Sequence, residues 1–232
     1  MNLKPVLIIT VLSMLIACKE QSRKLYVVNI PSTYDSISTD LKAEIPDYDS
    51  FRLSVAGERK KVKKESIVSI RKFLYTLIRK DIFNYWKGTK WDYNGTTREP
   101  GIGNIACGYF VTNTLTDLGF KLNRIKLAQS VSSKMIKALC VNIKYFTNLS
   151  DLHNYLASEP DNSVYIIGLD FHTGYILKDS SGAYFLHSNY INRTGVVMEK
   201  VSTSANLRNN KNFMIGSLTQ NKQLLHEWAG YR

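Results

Sequence analysis

Cysteine is scarce in this chain: three among 232 residues, at positions 18, 107 and 140. So few thiols make no disulfide framework, and no Cys/His spacing matches a zinc site. Acidic residues are also in short supply, 19 Asp+Glu against 31 Lys+Arg, for a formal charge of +12. A basic surface of this kind suits an anionic partner: a wall polymer, lipid headgroups or nucleic acid. There is no internal repeat and no low-complexity segment. With 44% hydrophobic and 22% charged residues, the composition excludes disorder for most of the chain and permits a real core. The length suits one domain, with or without a short appendage.

Long apolar runs are missing except at the start. MNLKP carries one positive charge, VLIITVLSMLIA follows as an apolar run, and Cys18 comes next. This is the pattern of a secretory signal, and the run is short for a membrane span. The ending LIAC is similar to a bacterial lipobox, in which the cysteine is lipid-modified and becomes the new first residue; a plain signal peptide is the alternative. Either way the chain is exported, which removes nucleic acid as a partner. A lipid on Cys18 anchors the protein to a membrane of the cell envelope without spanning it. Loss of residues 1–17 removes Lys4 alone, so the mature charge is 12 − 1 = +11. Much of the excess lies in ERKKVKKE, residues 58–65, either a solvated basic linker and helix start or an anion-binding stretch.

The organisation expected is a signal segment 1–17, a tether and N-terminal extension 18–60, and one domain 61–232. In the extension LYVVNI suggests a strand, and EIPDYDS reads as turn and loop. Apolar residues from Ile67 to Ile82 recur at helical spacing and predict a helix over Lys64–Trp86. A Gly-, Thr- and Asn-rich loop follows, KGTKWDYNGTTREPGIGN, of the length that often carries function. Helix returns over Ile105–Leu118, with Asn104 as N-cap and Gly119 as its stop. LAQSVSSKMIKALC and SDLHNYLASEP predict two more helices. Thereafter SVYIIGL, HTGYILK, AYFLHSNY, GVVMEKV and NFMIGSLT read as strands, and NKQLLHEWAGYR as a closing helix. Helices first and antiparallel strands later mean α+β.

One cysteine, Cys107, sits in the first turn of the predicted helix 105–118. Unpaired backbone N–H groups and the helix dipole favour negative charge there, and thiolate is the reactive form of cysteine. A glycine at 108 would leave the thiol uncovered on one side. A nucleophile and a small buried thiol are both compatible with these facts. Cys140, at the end of an amphipathic stretch, reads as a core residue, not as a disulfide partner for Cys107, although an envelope compartment permits disulfides.

A hairpin sharpens the choice. In GLDFHTGYILKDSSGAYFLHSNY two strands flank DSSG, a four-residue turn. If Lys178 pairs with Ala183, paired numbers sum to 361, which sets His172 opposite Asn189 and Gly174 opposite His187. His172, His187 and Asn189 then share one face, with no side chain at Gly174 between the two histidines. One polar group can thus orient the other imidazole. Asp170, on the same strand as His172, is aimed alongside and not across, which leaves Asn189 as the alternative orienter.

WDYNGT, ACGYFV, HTGYI and FLHSNY together resemble the NlpC-type cell-wall cysteine peptidases, members of the papain-like superfamily, over residues 85–190. The resemblance implies a papain-like α+β fold, with helices on a mostly antiparallel sheet. It implies Cys107 as nucleophile, His172 as base and His187 as its orienter, with Tyr93 assisting the oxyanion or the thiol. The family has Asp or Asn before the cysteine and Ser after it, where this chain has Ala106 and Gly108. The span from cysteine to histidine (172 − 107 = 65) carries two extra helices. The expected function is therefore hydrolysis of an amide bond in peptidoglycan stem peptides by a monomer that uses no cofactor and no metal. Two rivals stand beside it: a non-catalytic wall-binding lipoprotein of the same fold, and a related hydrolase or acyltransferase acting on a lipid or isopeptide.

Other signals carry less. GIGNIA fits a dinucleotide-loop pattern but follows TTREP and not a strand. His153 and His226 fall on predicted helices, where surface or core is the default reading.

Overall fold

The computed structural model describes residues 47–230; the signal segment, Cys18 and LYVVNI lie outside the described residues. The chain opens with α1 (Tyr48–Val62), started by Asp47, whose Oδ1 accepts from the amides of Asp49 and Ser50. The described part of the EIPDYDS stretch expected as loop, residues 47–50, is thus a helix start, Asp47 being a strong N-cap. Phe51 and Val55 of α1 belong to the main core, so the packed body reaches back beyond residue 61. Helix α2 (Ile67–Thr76) is capped by Ser66, three residues inside the expected Lys64–Trp86 span. It continues through a π-helical segment, Leu77–Ile82, into α3 (Phe83–Trp86). Ile70, Leu74, Ile78 and Ile82 are fully buried along this rod, each worth about 1.5–3 kcal/mol against exposure.

Helix α4 (Cys107–Asp117) begins at the cysteine, and its N-cap is Ala106, without a side-chain cap bond. Asn104 does not cap it, because the Asn104 carbonyl accepts from Thr97 and the residue bridges to Lys90 within the preceding loop. The single helix expected over 127–140 is two, α5 (Arg124–Ala128) and α6 (Ser132–Leu139). Between them the Ser130 hydroxyl bonds back to the Lys126 carbonyl, a local bond that competes with helix continuation. Next come β1 (Val141–Phe146), which the sequence reading lacks, then α7 (Leu149–Ser158) and the strands β2 (Ser163–Gly168), β3 (Thr173–Asp179) and β4 (Gly182–Asn189). A 3-10 turn leads to β5 (Gly195–Lys200), followed by α8 (Ala205–Arg208), β6 (Phe213–Ser217) and α9 (Lys222–Ala229).

The fold is α+β. The strands form one antiparallel sheet in the order β1-β6-β2-β3-β4-β5. One face carries Val164, Ile166, Tyr175, Leu177 and Leu186 and packs on α1–α4, α6 and α9. The other carries Tyr165, Ile167, Ile176, Phe185 and Ile215 under α7 and α8. Alternation along β2, β3 and β4 supplies both apolar faces. The hairpin has the expected register, Lys178 opposite Ala183 and Tyr175 opposite Leu186, but Asp179 also pairs with Gly182. The turn is therefore tighter than DSSG, with the same parity.

Buried Asp117, at the end of α4, fastens α4 to its surroundings. Its carboxylate accepts from the Tyr48 hydroxyl at 3.0 Å and from Arg98 at 2.5 Å, with Arg52 at 3.4 Å. Tyr48 in turn accepts from the Trp86 indole at 2.8 Å, so α1, α3, α4 and the loop before Cys107 share one polar node. We expect Asp117→Ala to lower the unfolding free energy by about 2–3 kcal/mol, since two guanidiniums and a phenol lose a charged acceptor together. Arg98→Ala, which removes one half-exposed partner, is expected to cost about 1 kcal/mol or less. Urea titrations of the two variants check the difference.

Candidate active site

The loop 87–106 is a strap fixed at both ends. The Ile105 amide donates to the Lys90 carbonyl at 2.9 Å and the Ala106 amide to the Gly95 carbonyl at 2.8 Å. A side chain at Gly95 would meet the Asn104–Ile105 backbone at 2.6 Å, which is why the NGT segment turns on a glycine. From the sheet side, the Ser188 hydroxyl donates to the Ile105 carbonyl at 2.7 Å. From α4, Asn113 donates to the Thr97 carbonyl. The strap therefore delivers Cys107 to the first position of α4 with little freedom.

Cys107 is partly buried and Cys140 is buried in the core; both are free thiols. Burial pushes the Cys107 thiol up, while the amides of Thr173, Gly108 and Cys107 itself point at the sulfur and pull it back. Burial alone drives Cys140 up to about 12, as suits an inert core thiol. The glycine at 108, expected from sequence to leave the sulfur uncovered on one side, lines the same cavity as Cys107. Gly108 is buried, and a side chain there would meet the Ala128 carbonyl at 2.4 Å. Its role is to let the end of α5 close against the start of α4.

His172 immediately precedes β3, and the neighbouring Thr173 amide is the one directed at the Cys107 sulfur. His172 Nε2 lies 2.8 Å from His187 Nδ1 on β4. A side chain at Gly174 would meet the His187 Cβ at 2.7 Å, so the pair needs a glycine there. His187 Nε2 continues to Glu199 Oε1 on β5 at 3.2 Å, and Glu199 also accepts from the Ser204 hydroxyl. Aromatic rings enclose the imidazoles. Phe185 stacks on His187 with centroids 3.9 Å apart, and Tyr190 meets His172 edge-on at 5.1 Å. Burial pushes His172 well below its ordinary range, and the neighbouring His187 adds to that. Burial also lowers His187, though the hydrogen bond and charge of Glu199 oppose it. Both rings are neutral at pH 7, and so is the thiol.

Cys107 and His172 line a cavity of about 830 Å³, bounded by Trp91, Tyr109, Gln129, Leu169 and Tyr190 among others. Tyr93 lines it at 80% exposure, as does Phe171 at 96%. Asp170 is the one charged side chain of that lining among the described residues; it faces away from His172 to accept from the Lys211 amide and the Asn212 side chain. Asn189, the alternative orienter, does not hold His172. Its Oδ1 accepts from the Ile191 amide and from Asn206, which occupy it at the end of β4. Glu199, Tyr190 and Trp91 are the site residues missing from the sequence reading. Glu199 pairs opposite Phe185 and lies diagonal to His187, a relation visible only once the β4–β5 register is known. Among the described residues no cluster of His, Cys, Asp and Glu is arranged to hold a metal ion.

No family model, curated protein or solved structure matches this chain.

The buried neutral histidines make folding sensitive to acid. Unfolded, each takes up a proton near 6.5, whereas the folded values lie lower. The unfolded state therefore binds more protons below that pH. Their contribution is complete above about pH 6.5 and is lost as pH falls toward the folded values. Urea unfolding should show stability falling from pH 6.5 to 5 by up to about 1.4 kcal/mol per pH unit for each histidine. A flat profile over that window contradicts the neutral pair.

Proposed function

We propose that this chain is an exported cysteine hydrolase with a papain-like domain, anchored through Cys18 in the cell envelope and cleaving an amide bond in cell-wall stem peptides. One observation carries the reading: a thiol at a helix start and an imidazole held by a second imidazole open into the same cavity, with a backbone amide from beside the imidazole aimed at the sulfur. Nucleophile, base and orienter in that chain order are the parts acyl transfer requires.

The reaction follows from the parts. Since thiol and imidazole rest neutral, the proton of Cys107 passes to His172 as the sulfur attacks the carbonyl carbon. The C–S bond forms, and the carbonyl oxygen takes the negative charge, with N–H groups at the start of α4 and the Tyr93 hydroxyl as donors. When the C–N bond breaks, His172 returns the proton to the leaving amine. Water then attacks the thioester, its proton moving to His172 and on to the departing thiolate, which restores the thiol and releases the acid.

A second reading concerns the substrate. Stem peptides carry carboxylates, yet the described lining offers aromatic and uncharged side chains with one acidic residue and no lysine or arginine. That favours a neutral acyl group, as in a lipid or N-acyl amide, recognised by burial of apolar surface. Purified muropeptides and a neutral N-acyl amide are the two test substrates. Wild type should release an amine from one of them, and Cys107→Ala and His172→Ala should lose at least about 10²-fold in rate. Turnover of the N-acyl amide alone selects the second reading; cleavage of muropeptides surviving in Cys107→Ala removes the thiol mechanism.

A further inference from the structure

We propose that Glu199 is a positioning residue of this site, fixing through His187 which ring nitrogen of His172 stays bare for the thiol. A carboxylate only accepts hydrogen bonds. Burial raises the Glu199 carboxyl, but the bonds from His187 and Ser204 outweigh it and hold it below the ordinary range, so it is ionised at neutral pH. The 3.2 Å contact then requires a proton on His187 Nε2. A neutral imidazole has one N–H, so His187 Nδ1 is left as an acceptor. Across the 2.8 Å contact His172 Nε2 must therefore donate. The one unprotonated nitrogen of His172 is Nδ1, and a base needs a bare nitrogen.

Without a carboxylate at 199 nothing in this chain of contacts chooses between the two orientations. The reverse arrangement, with His187 Nδ1 donating to His172 Nε2, puts the His172 proton on Nδ1 and removes the base. Glu199 touches neither substrate nor sulfur and acts at two removes. The Ser204 hydroxyl, which also caps α8 by accepting from the Leu207 amide, donates to the same Oε1 and keeps the carboxylate facing His187.

The use made of the bare nitrogen rests on the hydrolase reading, but the tautomers do not, so the two fail separately. The test is imidazole nitrogen NMR of the whole chain with labelled histidine, which has four histidines to assign. In wild type at pH 8, His172 and His187 should each carry the proton on Nε2. Glu199→Leu should lose that single state, with Nδ1–H forms appearing on both rings, and turnover should fall about 10²-fold. Glu199→Gln retains an acceptor oxygen and should restore the wild-type tautomers with most of the rate. A proton on Nδ1 of either ring in wild type overturns the proposal, as does a Glu199→Leu spectrum unchanged at both rings. If the leucine variant does not fold, the wild-type spectrum still decides against the proposal in the first case. Absence of turnover in every protein, with the tautomers as expected, defeats the hydrolase reading and leaves the assignment of Glu199 standing.

Discussion

The contact between two imidazoles across β3 and β4 exists because position 174 carries no side chain. A methyl group there would run into the His187 Cβ, the Leu186 carbonyl and the Phe185 ring at once. Backbone atoms give way least readily, so the strands would have to part, and with them the short bond from His187 to His172. Everything placed by that bond follows from it: the orientation of His172, its edge against Tyr190, and the position of the Thr173 amide beside Cys107. The hairpin's tight turn makes the same demand from the other end, since a one-residue change would send His187 to the opposite face.

Electrostatically the site is quiet at rest. A helix N-terminus and three amides favour a thiolate, yet burial works against charge on both sulfur and nitrogen. Burying charge is costly, and the balance is met here by leaving thiol and imidazole uncharged at rest. In the hydrolase we propose, these N–H groups meet a developing charge with little rearrangement. Glu199 is the one formal charge attached to the relay, and it lies at the solvent-facing end, where water shares its field.

Much of this was legible in the residue order. Cys107, His172 and His187 stood out because a helix start and a hairpin turn are local features, and the turn fixed parity over the whole hairpin. Tyr93 was legible only as a resemblance, and it is largely exposed. Glu199 was hidden because the connection from β4 to β5 runs through Asn192 and Arg193, both in the left-handed region at φ near 50°. Neither residue type announces that geometry as glycine does, so the register beyond Asn189 could not be counted. Helix α1 was hidden for a different reason. It buries only Phe51 and Val55 fully, with Leu53 exposed, too thin an apolar stripe to stand out beside its basic residues. Strand β1 buries little and bends at Asn142, where φ is 52°. The break between α5 and α6 depends on one hydroxyl choosing its own backbone.

Strand β5 is the last in the sheet order among the described residues, and only its beginning has a second neighbour, where Gly88 and Thr89 bond to Val196. Glu199 lies farther along. Outermost segments open by small, sub-global fluctuations long before a β2–β3–β6 interior gives way. The line of contacts from His172 through His187 to Glu199 is therefore tied at its far end to an edge of the sheet. Warming the protein should loosen the hold on His172 while the core still protects its amides from exchange.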